Sequence, residues 1–179
     1  MDDYELADTI VSINKANGWD VTTPECWHNP RKLKSKLALV HTEVSEAAES
    51  VRHDDKENFA RELADIEVRI LDMCGGMVLV EEMQTDEAFL EYHPLAYAVE
   101  GWSCKEAVMA ALDGVHCLLS KASLSIDEDD GDGFVGGMAS ALRLTRLLAK
   151  AYGIDLPATV QAVLDRNRQR GIRHGGKLL

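Results

Sequence analysis

The stretch that decides the fold runs from Lys32 to Met77 and reads KLKSKLALVHTEVSEAAESVRHDDKENFARELADIEVRILDMCGGM. Apolar residues recur in it at alternating steps of four and three, the spacing of one buried face of an α-helix. The polar segment from His53 to Glu57 separates two such faces and predicts the turn between two antiparallel helices. The apolar positions are Leu33, Leu37, Val40, Val44, Ala47 and Val51, followed by Phe59, Leu63, Ile66, Ile70, Met73 and Met77.

Two pairs of carboxylates flank these apolar faces. Glu43 and Glu46 lie three residues apart on the first predicted helix. Glu62 and Asp65 have the same spacing on the second, and residues three apart share a helix face. When the hairpin closes, the four carboxylates converge beside an apolar interface, where like charges repel strongly. Clustered oxygen ligands favour Mg²⁺ or Mn²⁺, so the spacing predicts a divalent-cation site, with a solvated acidic surface as the alternative.

The composition indicates one domain. The chain has 179 residues, of which 46% are hydrophobic and 28% are charged, and this length is sufficient for a sizeable core. The formal net charge of −12 argues against binding nucleic acid through a basic surface. A nucleotide can still bind through a bridging metal, because the metal reverses the local charge. We therefore expect a single domain over residues 1–179 with no nucleic-acid partner.

The cysteines and the apolar runs bear on location. The cysteines are Cys26, Cys74, Cys104 and Cys117, and they form neither a C-x-x-C pair nor a zinc-like spacing with histidine. The N-terminus has no signal-peptide pattern, and no stretch of about 18 apolar residues could span a membrane. We therefore expect a cytoplasmic protein with free thiols and no membrane partner.

Further helices are predicted on both sides of the hairpin. Residues 2–17 form a first helix that Gly18 ends. In the following loop, Trp27 could stack on a base, although such a residue more often caps the end of a bundle. The sequence shows no strand pattern and no evident internal repeat, so the predicted fold class is an all-α antiparallel bundle.

The segment after the hairpin is less regularly patterned. A short helix is predicted at residues 95–100, and a capping box from Ser103 to Glu106 opens a longer one. The sequence DEDDGDG at residues 127–133 lacks the acidic residue that a calcium loop requires, which predicts a flexible acidic loop. Further helices are predicted from Met138 to Tyr152 and after an Asp155 N-cap.

The C-terminal tail is the most basic part of the chain. It carries Arg170, His174 and Lys177, and Gly175 and Gly176 allow its backbone to approach a ligand closely. Such a tail suits phosphate binding, and a frayed terminus is the alternative.

Three segments, in this order, resemble the MazG-like family of all-α nucleoside triphosphate pyrophosphohydrolases. They are LALVHTEVSEAAESVR at 37–52, ENFARELADIEVRILDMCG at 57–75 and YGIDLPATVQAVLDRNRQRGIRHGGK at 152–177. The pairs Glu43-x-x-Glu46 and Glu62-x-x-Asp65 match the family's metal motif. The residues that match its phosphate-end motif are Asn167, Arg170, His174 and Lys177.

The resemblance implies Mg²⁺-dependent hydrolysis of an NTP or dNTP to the monophosphate and pyrophosphate, by a helical bundle assembled as a homo-oligomer. It implies that Glu43, Glu46, Glu62 and Asp65 hold the metal, and that Asn167, Arg170, His174 and Lys177 hold the phosphates. Either Glu43 or Glu46 takes the proton from the attacking water.

Two departures from the family pattern accompany the resemblance. Residues 78–147 have no counterpart in a minimal member, which predicts an inserted helical segment. The insert would bury the dimer seam, replace a second subunit's contribution or shape the base pocket. Thr42 stands where many members have another acidic residue. The alternative function is a catalytically inactive helical module that binds a nucleotide or a protein.

Overall fold

A computed structural model describes residues 2–85 and 105–170, and these residues are predominantly helical. The helices are α1 (Asp3–Ala16), α2 (Pro30–Arg52), α3 (Lys56–Gly76), α4 (Val80–Thr85), α5 (Lys105–Glu128), α6 (Gly131–Ala151) and α7 (Leu156–Gln169). A short 3₁₀ helix, Pro24–His28, precedes α2. The described residues contain no strand, which confirms the predicted all-α bundle.

The first helix has the predicted position. The Asp2 side chain accepts a hydrogen bond from the backbone of Glu5, and the Glu5 side chain reaches back to the backbone of Asp2. Gly18 follows the helix at φ 73°, a left-handed conformation that glycine adopts without steric cost. This capping box and this stop therefore define α1 at both ends.

The predicted hairpin is formed by α2 and α3, and its predicted apolar positions are all buried. The turn is shorter than the predicted segment from His53 to Glu57. Asp55 is the N-cap of α3, because its Oδ1 accepts the backbone N–H of Asn58 at 3.0 Å. Lys56 and Glu57 therefore belong to the first turn of α3.

A second hairpin, α5–α6, packs across the first. Helix α5 lies along α2, and α6 lies along α3, while α1 and α7 also pack on α3. Buried side chains from all seven helices form one hydrophobic core. Most of the segment that the sequence marked as an insert, at 78–147, therefore contributes directly to the core that supports α2 and α3.

Helix α6 begins earlier than predicted. Its first residue is Gly131, where the sequence predicted a helix from Met138, and the N-cap is Asp130. Glycine is a poor helix former, so the glycines from Gly131 to Gly137 give no local signal for a helix start before Met138. Tertiary packing overrides this propensity, because a Cβ on Gly137 would lie only 3.0 Å from the Cβ of Ala122 on α5. Helices also take up most of the predicted loop at 127–133, because α5 runs to Glu128 and α6 begins at Gly131.

The acidic residues near the turn between α5 and α6 bind other side chains of the bundle. Asp127 pairs with Lys34 at 2.5 Å, and Asp129 accepts the Nε1–H of Trp27 at 2.6 Å. The Trp27 ring also packs edge-on against Phe134, with ring centroids 5.7 Å apart. Trp27 therefore caps the end of the bundle, as the sequence favoured.

We expect Gly137→Ala to lower the free energy of unfolding by about 1–3 kcal/mol, because α5 and α6 would have to separate. Gly131→Ala is the matched control in the same helix, since nothing lies within 4 Å of the added Cβ. This control should raise stability by about 0.5 kcal/mol. Urea denaturation of both variants measures the difference, and equal effects would show that α5 and α6 are not in close contact at Gly137.

Among the described helices, α5 alone has the length and composition of a membrane-spanning segment, although no such stretch was expected from the sequence. A core helix meets the same criterion, and the apolar face of α5 packs against α2 and α6. The helix predicted at 95–100 lies outside the described residues. The capping box predicted from Ser103 also begins outside them, and the helix it was expected to open is α5.

Candidate metal centre

Three of the four predicted carboxylates converge between α2 and α3. Glu43 on α2 and Glu62 and Asp65 on α3 each place a carboxylate oxygen within 4.8 Å of those of the other two. Glu43 is 8% exposed and Glu62 only 1%. They converge because Glu43 flanks the buried seam of α2, while Glu62 and Asp65 lie one turn apart on the facing side of α3. We call these three residues the carboxylate cluster.

Glu46 lies outside the carboxylate cluster. It is one turn after Glu43 on α2, and its side chain is exposed. Its charge nevertheless raises the pKa of Glu43, after the larger contribution of burial. The structure therefore places Glu46 at the rim of the cluster, where it has a different environment from the other three carboxylates.

Two arginines bind the carboxylate cluster. The Nε of Arg69 donates to Oε1 of Glu43 at 2.9 Å, and a terminal nitrogen of Arg69 lies 2.9 Å from the same oxygen. Arg61 pairs with Oε1 of Glu62 at 2.7 Å. Both arginines contact Oε1, and within residues 2–85 and 105–170 no ion pair involves the second oxygen of either carboxylate.

Burial dominates the electrostatics of the cluster. It raises the pKa of Glu43, although the nearby Arg69 guanidinium opposes this effect. Burial also raises the pKa of Asp65, and the negative charge of Glu62 adds to the shift. These shifts mean that the cluster holds negative charge at a cost, which a bound cation would reduce.

A further buried carboxylate, Asp72, lies on the same helix. Its Oδ1 accepts the Nδ2–H of Asn14 from α1 at 2.8 Å, and burial raises the pKa of its carboxyl group. Asp72 thereby ties α1 to α3, and it is not one of the three converging residues.

The predicted phosphate-binding residues are only partly described. Asn167 lies in the last turn of α7, and its carbonyl accepts the Nδ2–H of Asn17 at 2.8 Å. Arg170 is the exposed C-cap of α7. His174 and Lys177 lie outside the described residues.

A groove between α3 and α7 is linked to the carboxylate cluster through two arginines. Its cavity volume is about 630 Å³, and Arg61 and Arg166 both line it. Arg61 also pairs with Glu62, and the positive charge of Arg166 lowers the pKa of Asp65. The groove therefore has an apolar wall, two guanidinium groups that reach the edge of the cluster, and the carboxylates of Asp55, Glu57 and Asp155.

Arg61 and Arg166 were not predicted from the sequence as residues of this site. Arg61 directly precedes Glu62, and neighbours in a helix do not share a face, so the three- and four-residue spacing gives no signal. Arg166 reaches the site from α7 through the tertiary fold. Only the packing of α7 on α3 reveals its position.

A second cavity, of about 530 Å³, lies on another side of α3. Arg146 lines it and donates to Asp3 and Glu67, each at 2.6 Å. These bonds join α1, α3 and α6, and they indicate a structural role for this arginine.

Comparisons of the chain with protein-family models, curated proteins and solved structures gave no significant match. The class that the fold and the site define is an all-α bundle with three clustered carboxylates on a helical hairpin. Membership of the MazG-like family remains a prediction from the sequence motifs.

Proposed function

We propose that the protein is a cytoplasmic, Mg²⁺-dependent nucleoside triphosphate pyrophosphohydrolase that can also use Mn²⁺. The observation that carries this proposal is the convergence of Glu43, Glu62 and Asp65 next to a groove lined by two arginines. The resemblance of the sequence motifs to the MazG-like family supplies the reaction class. The substrate is an NTP or dNTP, and the products are the monophosphate and pyrophosphate.

The donor set suits a hard divalent cation. Glu43, Glu62 and Asp65 offer only oxygen atoms, which Mg²⁺ and Mn²⁺ prefer. The cation would supply positive charge for phosphate oxygens. In the part of the chain that the structure describes, Arg69 and Arg61 each contact Oε1 of their partner, so the carboxylates could bind the cation through the second oxygen and keep these pairs.

The groove gives the substrate a place beside the cluster. Arg61 and Arg166 present guanidinium groups, which match phosphate oxygens in charge and geometry. The apolar wall of the groove, which includes Ala158, Ala162 and Val163, offers a surface for the nucleoside. The phosphates would thus lie near the cluster, with Asn167, Arg170, His174 and Lys177 at the pyrophosphate end.

Glu46 is our candidate for the general base. Among the described residues its carboxylate has no ion pair, whereas Glu43 is bound to Arg69. We propose that Glu46 accepts a proton from water while the water oxygen bonds to the α-phosphorus. The bond between the α-phosphorus and the bridging oxygen then breaks, and pyrophosphate leaves with that oxygen.

The direct experiment is incubation with a panel of NTPs and dNTPs and Mg²⁺, with pyrophosphate release as the readout. Turnover of at least one nucleotide supports the proposal. No turnover by protein with intact helical content would favour the inactive nucleotide-binding module. One observation already favours that alternative, since Arg69 and Arg61 partly neutralise the cluster without a metal.

We expect Arg166→Gln to raise KM about tenfold, a loss of about 1.4 kcal/mol in binding, because one phosphate-facing guanidinium is removed. Arg168→Gln is the matched control two residues away. Arg168 pairs with Asp165 at 2.6 Å and does not line the groove. Steady-state kinetics on both variants test the assignment, and an equal KM would mean that the substrate does not contact Arg166.

A further inference from the structure

The α5–α6 hairpin repeats the α2–α3 hairpin at a constant offset. His116 follows His41 by 75 residues, and this offset aligns 30–78 with 105–153 without a gap. The identical pairs are Leu37/Leu112, Val40/Val115, His41/His116, Ser45/Ser120, Ala47/Ala122, Ser50/Ser125, Asp54/Asp129, Asp55/Asp130, Phe59/Phe134 and Ala64/Ala139. No internal repeat was evident from the sequence alone, and this alignment revises that expectation.

The two hairpin turns have the same backbone conformation. Asp54 and Asp129, at equivalent positions, have φ values of 57° and 56°. The next residues, Asp55 and Asp130, are the N-caps of α3 and α6, and each accepts the backbone N–H three residues later at 3.0 Å. A residue other than glycine rarely has a left-handed backbone. The recurrence of this conformation at Asp54 and Asp129 therefore indicates that the two turns are equivalent.

The ends of α3 and α6 also match. Val78 has φ 62°, and the equivalent Gly153 has φ 69°. The N–H of Leu79 bonds to the carbonyl of Cys74 at 2.9 Å, and the same bond, also 2.9 Å, recurs at the equivalent residues of the second hairpin. A β-branched residue rarely adopts this left-handed conformation, so finding it at Val78 supports the equivalence of the two helix ends.

The two hairpins meet as the two halves of a symmetric dimer would. The rings of His41 and His116 stack at an interplanar angle of 9°, and their Nδ1 atoms lie 2.7 Å apart. Contact between equivalent residues through the same atom is the mark of a two-fold interface. The helices follow this pattern, because α2 packs on its equivalent α5 and α3 packs on its equivalent α6.

The second hairpin has no acidic residue at the positions equivalent to the four predicted metal ligands of the first hairpin. The residues equivalent to Glu43, Glu46, Glu62 and Asp65 are Leu118, Lys121, Gly137 and Ser140. At Gly137 the helices lie too close for a longer side chain, since a Cβ would already be 3.0 Å from that of Ala122. Ser140 Oγ is buried, and among the described residues it has no hydrogen-bond partner.

We propose that the chain is an internally duplicated dimer, in which α5–α6 takes the place that a second copy's hairpin would occupy against α2–α3. The first repeat alone supplies the cation site, and the second repeat supports it through packing. The seam that bears His41 is therefore closed to another copy of the chain, and the homo-oligomer implied by the family resemblance is not needed to complete the site. The duplication stands independently of the proposed function, whereas the identity of the bound ion rests on it.

Cross-linking of the full chain tests which molecule forms the seam. We would use His41→Cys/His116→Cys with a short bismaleimide, in a background where Cys104 and Cys117 are serine. We expect the cross-link to join two residues of one chain. The denatured product should therefore keep the mass of a single chain, 19.7 kDa. A doubled mass would show that hairpins are exchanged between chains and would overturn the proposal, as would a folded protein in which both thiols remain uncoupled.

The single variant His41→Cys in the same background is the control. Two copies meeting at a true two-fold seam would bring equivalent cysteines together and give a cross-linked dimer, so such a dimer would also overturn the proposal. If the variants do not fold, thermal unfolding of the unsubstituted protein is measured over a 100-fold concentration range. A midpoint independent of concentration supports an internal seam, and a rising midpoint contradicts it.

A Mn²⁺ titration separates this inference from the proposed function. We expect Glu62→Gln to eliminate all tight Mn²⁺ binding, because the second repeat has no equivalent cluster. Tight binding that survives in the variant would overturn the assignment of the site to the first repeat alone. Absence of binding in the unsubstituted protein would overturn the proposed metal-dependent function, while the cross-linking result would still decide the duplication.

Discussion

Glu62→Gln is expected to slow pyrophosphate release by about 10²–10³-fold, the size of effect seen when one preorganised electrostatic contact is removed from an active site. Glu62 is 1% exposed and belongs to the carboxylate cluster, so the substitution removes a charge that the cation site requires. Glutamine has almost the same shape and preserves the packing. The measurement is the turnover number at saturating Mg²⁺ and nucleotide, with circular dichroism to verify the helical content.

The matched control is Glu67→Gln, the same substitution on the same helix. Glu67 is 4% exposed, but it does not belong to the cluster. Its Oε1 lies 2.6 Å from a guanidinium nitrogen of Arg146. We expect this variant to lose about 1–2 kcal/mol of stability, because the half-buried Arg146 loses one charged partner and keeps only Asp3. Its turnover per folded molecule should be unchanged. Equal loss of turnover in both variants would attribute the effect of Glu62→Gln to destabilisation.

The second large effect concerns pH and metal. Without divalent cations, we expect the cluster's contribution to stability to fall as the pH rises from about 4.5 towards 7. Burial raises the pKa of Glu43 and Asp65 in the folded state, so these groups bind protons more tightly there than in the unfolded chain. Their contribution is therefore complete below their ordinary pKa values and is lost as the pH rises through the raised ones.

Mg²⁺ or Mn²⁺ should reverse this loss near pH 7, because the cation takes the place of the protons. Thermal midpoints measured from pH 4.5 to 7.5, with EDTA or with Mn²⁺, give the difference directly. The control is Glu43→Gln/Asp65→Asn, in which the difference between the two conditions should disappear. If the variant keeps the same metal-dependent difference, the cation acts on the overall charge of −12 rather than on the cluster.

Much of the fold was predictable from local signals. The apolar periodicity of α2 and α3 and the Asp55 cap report directly on helices, since burial and capping depend on neighbouring residues. The start of α6 was not predictable in this way. Its glycines disfavour a helix locally, and their close approach to α5 appears only in the tertiary structure.

The candidate site was also predictable only where local spacing carries the signal. The spacing of the acids indicated that Glu43, Glu62 and Asp65 could meet, but the orientation of the two helices decided that Glu46 would lie outside. Arg166 comes from a distant segment and has no local signal. The repeat was hard to see because half of its ten identities fall at apolar helical positions, where any two amphipathic helices look alike.

Joining two equivalent hairpins in one polypeptide has an evolutionary consequence. In an assembly of identical copies, every substitution occurs on both sides of the axis at once. Here Leu118 or Lys121 can change while Glu43 and Glu46 stay fixed. Selection can therefore adjust the scaffold that supports the carboxylate cluster without altering the cluster itself.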